Sequence, residues 1–502
     1  MRTRKAFYNT LSGFLYQVIT IVCAFILPRL ILLHFGSAYN GLISSITQFL
    51  SWIAILNMGV GGVTRAALYK PLALKNHKAI SSIIKATDCF MKRIAIIFVA
   101  LLIAFALIYP VIVINDFEYL FTSTLILTIG VNTFFQYYFG MSYQILLEAD
   151  QKNYVIAIVR VITITISTIL ASVLIIFEFD IRIVKLASSL VFSLNPLCFY
   201  LYVKNNYYLD NEVAPDNSTI KQRWDAFAQE IAIMINSNMD IIILTLFMDV
   251  KIISVFVIYN MIMNGVRQFL QTFTTGIGAA FGNMLALGME NKDLNDRLNV
   301  FEFIVYNTTT ILFTVTVVTM IPFVSIYTSG IEDINYIQPV FAYLIILSTM
   351  FNCYRIPYQT IVYAAGKFKE TKKGALLEAV VHLLLSLVFV NLWGLEGIAL
   401  SALLAGMIRT SQYAIFLSEN VIKRNSYIFA KKIIISLLSV LIVFGIYDNC
   451  DLMDVLSYGE WVKNALEVTF VSICVNLVID VFLYRNELCN FAKSISRLFF
   501  SR

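Results

Sequence analysis

Among the charged side chains inside otherwise apolar stretches, Arg29, Arg160, Arg267, Arg355 and Arg409 stand against Asp240 and Glu378 as the informative set. A charge at bilayer depth costs at least about 2.5 kcal/mol, so each must be paired, reach an interface or line a wet cavity. Guanidinium groups outnumber carboxylates, and an uncompensated cationic excess at depth points to an anionic ligand. Arginine suits phosphate, because its planar fork stays charged and makes paired hydrogen bonds.

Arg267 is the best placed of the five. Asn260, Asn264, Arg267, Gln271, Thr274 and Gly278 recur at spacings of four, three, four, three and four within the apolar run 252–287. At ~100° per residue they share an arc of roughly 80° on one helix face. Such a face avoids lipid and reads as the wall of a cavity. Arg29 follows Pro28 near the end of the first apolar run, where snorkelling is open to it. Arg355 and Glu378 fall on adjacent antiparallel helices, in reach of an ion pair, while Arg160 and Arg409 lie within a few turns of the inner face. The substrate-binding set expected from these positions is Arg267, Arg29, Asn264, Gln271 and Arg355.

The carboxylates suggest coupling to a proton or sodium gradient. Asp240 has Asn236 one turn earlier on its face, and Glu378 and His382 share a face at i, i+4. Histidine titrates near neutrality, which suits a proton carrier. Asp240 lies deeper than Glu378 by roughly 15 Å at 1.5 Å per residue, which sets the two apart.

Other chemistries find no support. The three histidines, His34, His77 and His382, are scattered, and the seven cysteines include no C-x-x-C pair, so neither a metal centre nor a disulfide framework is expected. No G-x-x-x-x-G-K-[ST] sequence occurs, so the chain carries no P-loop. The clusters Gly59, Gly61, Gly62 and Gly276, Gly278, Gly282 lie inside apolar runs and read as packing or bending points. No cofactor is expected, and no nucleic-acid partner.

The elements that must position these residues are membrane helices. Of 502 residues 59% are hydrophobic and 14% charged, and mean hydropathy is +0.79. Soluble domains carry about 25% charged residues, so the chain is read as all-α and polytopic. At ~20 apolar residues per span, fourteen spans are expected: 8–33, 40–64, 94–114, 119–147, 154–177, 183–203, 226–247, 252–287, 302–327, 336–364, 374–392, 396–417, 432–447 and 462–484. The basic start Met1–Lys5 with its long apolar run to Leu33 reads as an uncleaved first helix. With that start inside, inner segments carry 28 Lys and Arg, and outer ones only Arg182, Lys185, Lys251 and Lys463. This asymmetry places both termini in the cytoplasm. The basic connector 65–93 is expected to lie along the membrane surface.

Residues 204–224 are polar, carry Pro215 and read as a cytoplasmic linker between two six-helix lobes, 1–203 and 225–417, with 418–502 holding helices 13 and 14 and a tail. An internal repeat supports the division. Tyr143, Gln144, Ala149 and Lys152 match Tyr358, Gln359, Ala364 and Lys367, each offset by 215 residues. Six helices per lobe gives both halves one orientation, as in parallel repeats.

PRLILLHFGSAYNGLISSITQFLSWIAILNMGVGG (28–62), LYKPLA (68–73), TTGIGAAFGNMLA (274–286), RIPYQTIVYAAGKFKETKKGALLEAVVHLLLSLVF (355–389) and GLEGIALSALLAG (394–406) together resemble the bacterial polysaccharide-biosynthesis flippases. That family belongs to the multidrug/oligosaccharidyl-lipid/polysaccharide exporter superfamily. The resemblance covers most of the chain and is carried by the order of the segments. It implies two six-helix lobes rocking about a central cavity lined mainly by helices 1, 2, 7 and 8. In the related lipid II flippases an acidic residue on helix 7 and polar residues on helices 11 and 12 hold a cation; Asp240 matches the first in kind, Glu378 and His382 the helix-11 pair loosely.

The implied activity is to carry an undecaprenyl-diphosphate-linked oligosaccharide from the inner to the outer leaflet of the bacterial plasma membrane for capsule or O-antigen synthesis, without covalent chemistry. Membrane lipids, a polysaccharide polymerase and glycosyltransferases are the implied partners. Two other readings are weighed. A cation-coupled multidrug antiporter is disfavoured by the arginine excess. A membrane glycosyltransferase or polymerase is disfavoured by short outer loops, the longest of which, near 448–461, holds Asp448, Asp451, Asp454 and Glu460.

Overall fold

The structure is a computed structural model that describes residues 2–53, 60–114, 116–210, 213–215, 238–274, 277–287, 291–447, 457–485 and 487–489. The described residues are helical apart from turns and short connections, with no strand. In lipid a backbone has no water to bond, so spanning segments must satisfy their amides internally, and apolar runs of this length become helices.

The helices are α1 (Arg2–Phe35), α2 (Ser37–Ile53), α3 (Val60–Ala73), α4 (His77–Ile112), α5 (Tyr119–Phe135), a π-helical turn (Gln136–Gly140), α6 (Met141–Ala149), α7 (Asn153–Ile176), α8 (Ile181–Phe192) and α9 (Leu194–Asn206). Then follow α10 (Asn238–Phe247), α11 (Val250–Thr274), α12 (Ile277–Ala286), α13 (Asn291–Tyr327), α14 (Pro339–Tyr354), α15 (Ile356–Ala364), α16 (Phe368–Asn420), α17 (Tyr427–Tyr447) and α18 (Tyr458–Leu483). Over its described residues each of the fourteen expected spans falls on one helix, part of one, or consecutive helices, the fourth interrupted by the π-helical turn and the seventh described from Asn238 onward. Spans 11 and 12 share α16, whose two parts meet at Gly394 with φ 57° and ψ −126°, a conformation that glycine alone adopts without strain. Asn236, Gly59, Gly276, Asp448, Asp451 and Asp454 lie outside the described residues.

The basic stretch 65–93 is helical over 65–73 and 77–93 and continuous with the apolar runs on either side. α3 runs on to Ala73, and α4 begins at His77 behind Asn76, whose side chain accepts from the Ala79 amide at 3.1 Å. At 36 residues α4 is about 54 Å long, more than the roughly 30 Å of a hydrocarbon core. The polar residues of 77–93 form helix as readily in water as at an interface, and the hydrophobic pattern does not separate the two.

The chain divides into two compact units, Met1–Ser254 and Val255–Arg502. In the first, α1 packs on α7, α4 on α5, and α8 on both α5 and α7. Residues 238–254 belong to this unit: Ser45 and Thr245 share a hydrogen bond of 2.7 Å, and Asn40 donates to Ser254 Oγ at 2.7 Å. In the second, α14 packs on α16, and α13 packs on α14, α17 and α18.

The internal repeat is visible in the backbone. α6 and α15 each run nine residues. Asp150, Gln151 and Lys152 donate to the carbonyls of Leu146, Glu148 and Leu147; Ala365, Gly366 and Lys367 donate to those of Ile361, Tyr363 and Val362. Every one of these positions is displaced by 215. The left-handed residues correspond too, Gln151 at φ 56° and Gly366 at φ 71°, and the next helices begin at Asn153 and Phe368.

Candidate functional site

The second unit holds a buried charge cluster. Its first member, Arg355, stands at the junction of α14 and α15. Pro357, lacking an amide hydrogen, interrupts the helical hydrogen bonds there and forces a new start. Arg355 Nη1 donates to Glu378 Oε1 at 2.8 Å and Nη2 donates to Asn352 Oδ1 at 2.7 Å. Glu378 Oε2 lies 3.6 Å from Arg409 Nε, so one carboxylate sits between two guanidinium groups. Arg409 also donates to the Thr371 carbonyl (3.0 Å), Gln412 Oε1 (2.8 Å) and the Tyr413 hydroxyl (2.8 Å), with its guanidinium 4.1 Å over the Tyr413 ring. The Glu378 side chain is 8% exposed and that of Arg409 4%. His382, also buried, follows one turn along α16. The expected Arg355–Glu378 pair is therefore present, and Arg409 joins it.

The polar stripe lies on α11. Asn264, Arg267 and Gln271 are exposed, so this face meets open space and is not packed under neighbouring helices. Arg267 has no ion-pair partner among the described residues. The charges of Arg267 and Arg355 both reach Cys353, buried near the end of α14. Gly278, one of the expected packing positions, lies close to α15: a Cβ there would approach Thr360 Cγ2 to 3.2 Å. By contrast Gly61 and Gly62 face open space.

Arg29, half-buried on α1, and Asp240, half-buried on α10, belong to the first unit. Glu378 and His382 belong to the second. The expected residues of the second unit thus form one joined group (Arg355, Glu378 and, a turn away, His382) and one exposed face (Asn264, Arg267, Gln271), while Arg29 and Asp240 lie in the first unit.

Sequence reasoning passed over a second buried cluster. Glu302, fully buried on α13, pairs with Arg424 and, at 2.6 Å, with Lys432 Nζ. Arg424 and Lys432 counted only as inner-loop charge. A carboxylate at the very start of an apolar span, facing the basic entry to another, was the signal that could have found it.

No family model matches the sequence, and no curated protein matches it by sequence. Its likeness is structural. The chain is similar to the lipid II flippase MurJ in an inward closed conformation, at TM-score 0.69 and 15% identity over 96% of this chain and 99% of that one. It is also similar to a multidrug resistance MATE family transporter of the MOP superfamily in an inward-facing conformation, at TM-score 0.60 and 11% identity over 83% and 96% of the two chains. A Vibrio cholerae MATE transporter, VcmN, aligns at TM-score 0.51 and 15% identity over 85% and 97%. The protein is a polytopic, all-α, multi-pass membrane protein. Its fold is the one these flippases and multidrug transporters share.

Proposed function

We propose that the protein is a flippase for an undecaprenyl-diphosphate-linked oligosaccharide, working by alternating access in the bacterial plasma membrane with both termini in the cytoplasm. The observation that carries the reading is Arg267. It is an exposed guanidinium on a polar helix face with no ion-pair partner among the described residues, whereas Arg355, Arg409 and Arg424 each face a carboxylate. A charge left available in this way suits a diphosphate. A fold shared with a lipid II flippase supports the reading, since lipid II is itself a lipid-linked saccharide. Asn264 and Gln271 flank the charge with polar groups, and Arg29, on α1 of the first unit, is a further residue proposed to meet substrate.

In this reading the headgroup enters the hydrated cavity while the polyprenyl tail stays in lipid. No bond is made or broken, and no metal or organic cofactor takes part. Asp240, Glu378 and His382 are the groups proposed to couple transport to a proton or sodium gradient. Arg355 binds substrate only in a state in which Glu378 releases it. A polymerase and glycosyltransferases act on the same lipid before and after it crosses, for capsule or O-antigen type surface polysaccharide.

Depletion in the native host tests the function. The expected result is a complete lipid-linked oligosaccharide accumulating on the inner leaflet. Incomplete glycans would point to a transferase, and unchanged lipid-linked sugars with altered drug tolerance to a multidrug antiporter.

A further inference from the structure

A cavity of about 180 Å³ lies inside the first unit, between α1, the π-helical turn with its flanking helices α5 and α6, α7 and α9. At ~30 Å³ per water it has room for about six. Its polar wall consists of Tyr16, Asn132, Gln136, Gln144, Arg160, Thr163 and Asn195, with no Asp or Glu among the lining residues; of these Gln144 already donates to Glu148 Oε1 at 2.9 Å. The guanidinium of Arg160 has no hydrogen-bond or ion-pair partner among the described residues, and the side chains of Tyr16, Asn132 and Gln136 are equally unengaged. Asn195 Oδ1 accepts from Thr163 Oγ1 at 2.8 Å, which leaves the Asn195 amide hydrogens available. The π turn that presents Gln136 is a device frequently found at functional sites.

The internal repeat tells what this cavity lacks. Displaced by 215 residues, Gly140 corresponds to Arg355 and Thr163 to Glu378. The second unit fills these positions with the Arg355–Glu378 ion pair. The first has a glycine and a threonine there, and Gly140 lies so close to Pro196 that a Cβ would collide with it. The first unit instead has a guanidinium from Arg160, whose counterpart in the second is Ala375, and among the described residues no carboxylate pairs with it.

We propose that this cavity is an oxyanion-binding site that takes one carboxylate or phosphate group, held by Arg160 and by the neutral donors Tyr16, Asn132, Gln136 and Asn195. The ligand fills the place that the Glu378 carboxylate occupies in the second unit. It comes either from a soluble anion or from the headgroup of an anionic lipid. The site is separate from the face that carries Arg267 and does not depend on the flippase reading.

The test uses the full-length protein in nanodiscs of phosphatidylcholine, with thermal unfolding followed as inorganic phosphate replaces chloride at constant ionic strength. A saturable rise of several degrees in Tm is expected for the wild type. The rise should be lost in Arg160→Gln, and in Thr163→Glu, which supplies the missing carboxylate, but kept in Arg267→Gln. Discs containing phosphatidylglycerol identify the source. If they raise Tm without phosphate, in an Arg160-dependent way, the site takes a lipid headgroup; if phosphate still acts in full in them, it takes a soluble anion. No saturable rise in the wild type, or a rise retained in both Arg160→Gln and Thr163→Glu, would overturn the proposal.

Discussion

The corresponding places in the two units are built on one backbone and treat charge in opposite ways. In the second, Arg355, Glu378 and Arg409 neutralise one another within a buried network that also draws in Asn352, Gln412 and Tyr413. In the first, Gly140 and Thr163 stand where the ion pair would be, and Arg160 faces a cavity. A repeated helix scaffold fixes where polar groups collect, while a few side chains decide whether the place is closed on itself or left open.

The largest expected effect lies at Glu378. Glu378→Gln leaves Arg355 and Arg409 buried without their shared carboxylate and should destabilise the protein by about 3–5 kcal/mol. Thr163→Val, at the corresponding position, removes one hydrogen bond to Asn195 and should cost only about 1 kcal/mol. Unfolding of the two variants in the same detergent compares them directly; equal losses would break the contrast.

The left-handed turn residues sharpen it at a smaller scale. Gln151 in the first unit and Gly366 in the second adopt φ of 56° and 71°. A side chain there costs about 1–2 kcal/mol, so Gly366→Gln should destabilise by roughly that amount. Gln151→Gly should be neutral or stabilising by less than about 1 kcal/mol, because glycine also loses more chain entropy on folding. Thermal unfolding of both variants reads the sign.

The smallest effect is at the turns that follow α7 and the first part of α16. The first unit caps α8 with Asp180, which accepts from the Arg182 amide at 2.7 Å and from its guanidinium. The second passes through Gly394 alone. Asp180→Ala should cost about 1 kcal/mol at neutral pH. Hydrogen bonds from Arg182 hold the Asp180 carboxyl below the usual carboxylate range. Its contribution is therefore complete above its unfolded pKa of ~3.9 and is lost as pH falls through the lowered folded value. The variant and the wild type should converge in acid; a deficit that persists there would assign the effect to the helix start and not to the charge.

Much of this was legible in the sequence. Runs of apolar residues long enough to span leave the backbone no alternative to helix, so the spans could be placed from hydropathy. Four matched residues at a constant offset disclosed a repeat that the turn hydrogen bonds then reproduced. The stripe through Arg267 and the pair Arg355–Glu378 followed from helical spacing and from adjacency of antiparallel spans. What was not legible depends on three-dimensional neighbours far apart in the chain. Arg409 meets Glu378 only because α16 bends back at Gly394, and Glu302 meets Lys432 across two helices. Arg160 was legible as a charge in an apolar run, but the cavity beside it arises from what Gly140 and Thr163 do not fill.

The central claim is that Arg267 serves the passenger and not the fold. The direct measurement is translocation of a fluorescent polyprenyl-diphosphate oligosaccharide across proteoliposomes holding the purified wild type or Arg267→Ala, with unfolding of both followed in parallel. The account predicts that the variant loses transport while its stability stays within about 0.5 kcal/mol of wild type, as for an exposed side chain with no ion-pair partner among the described residues. Wild-type transport by Arg267→Ala would contradict it.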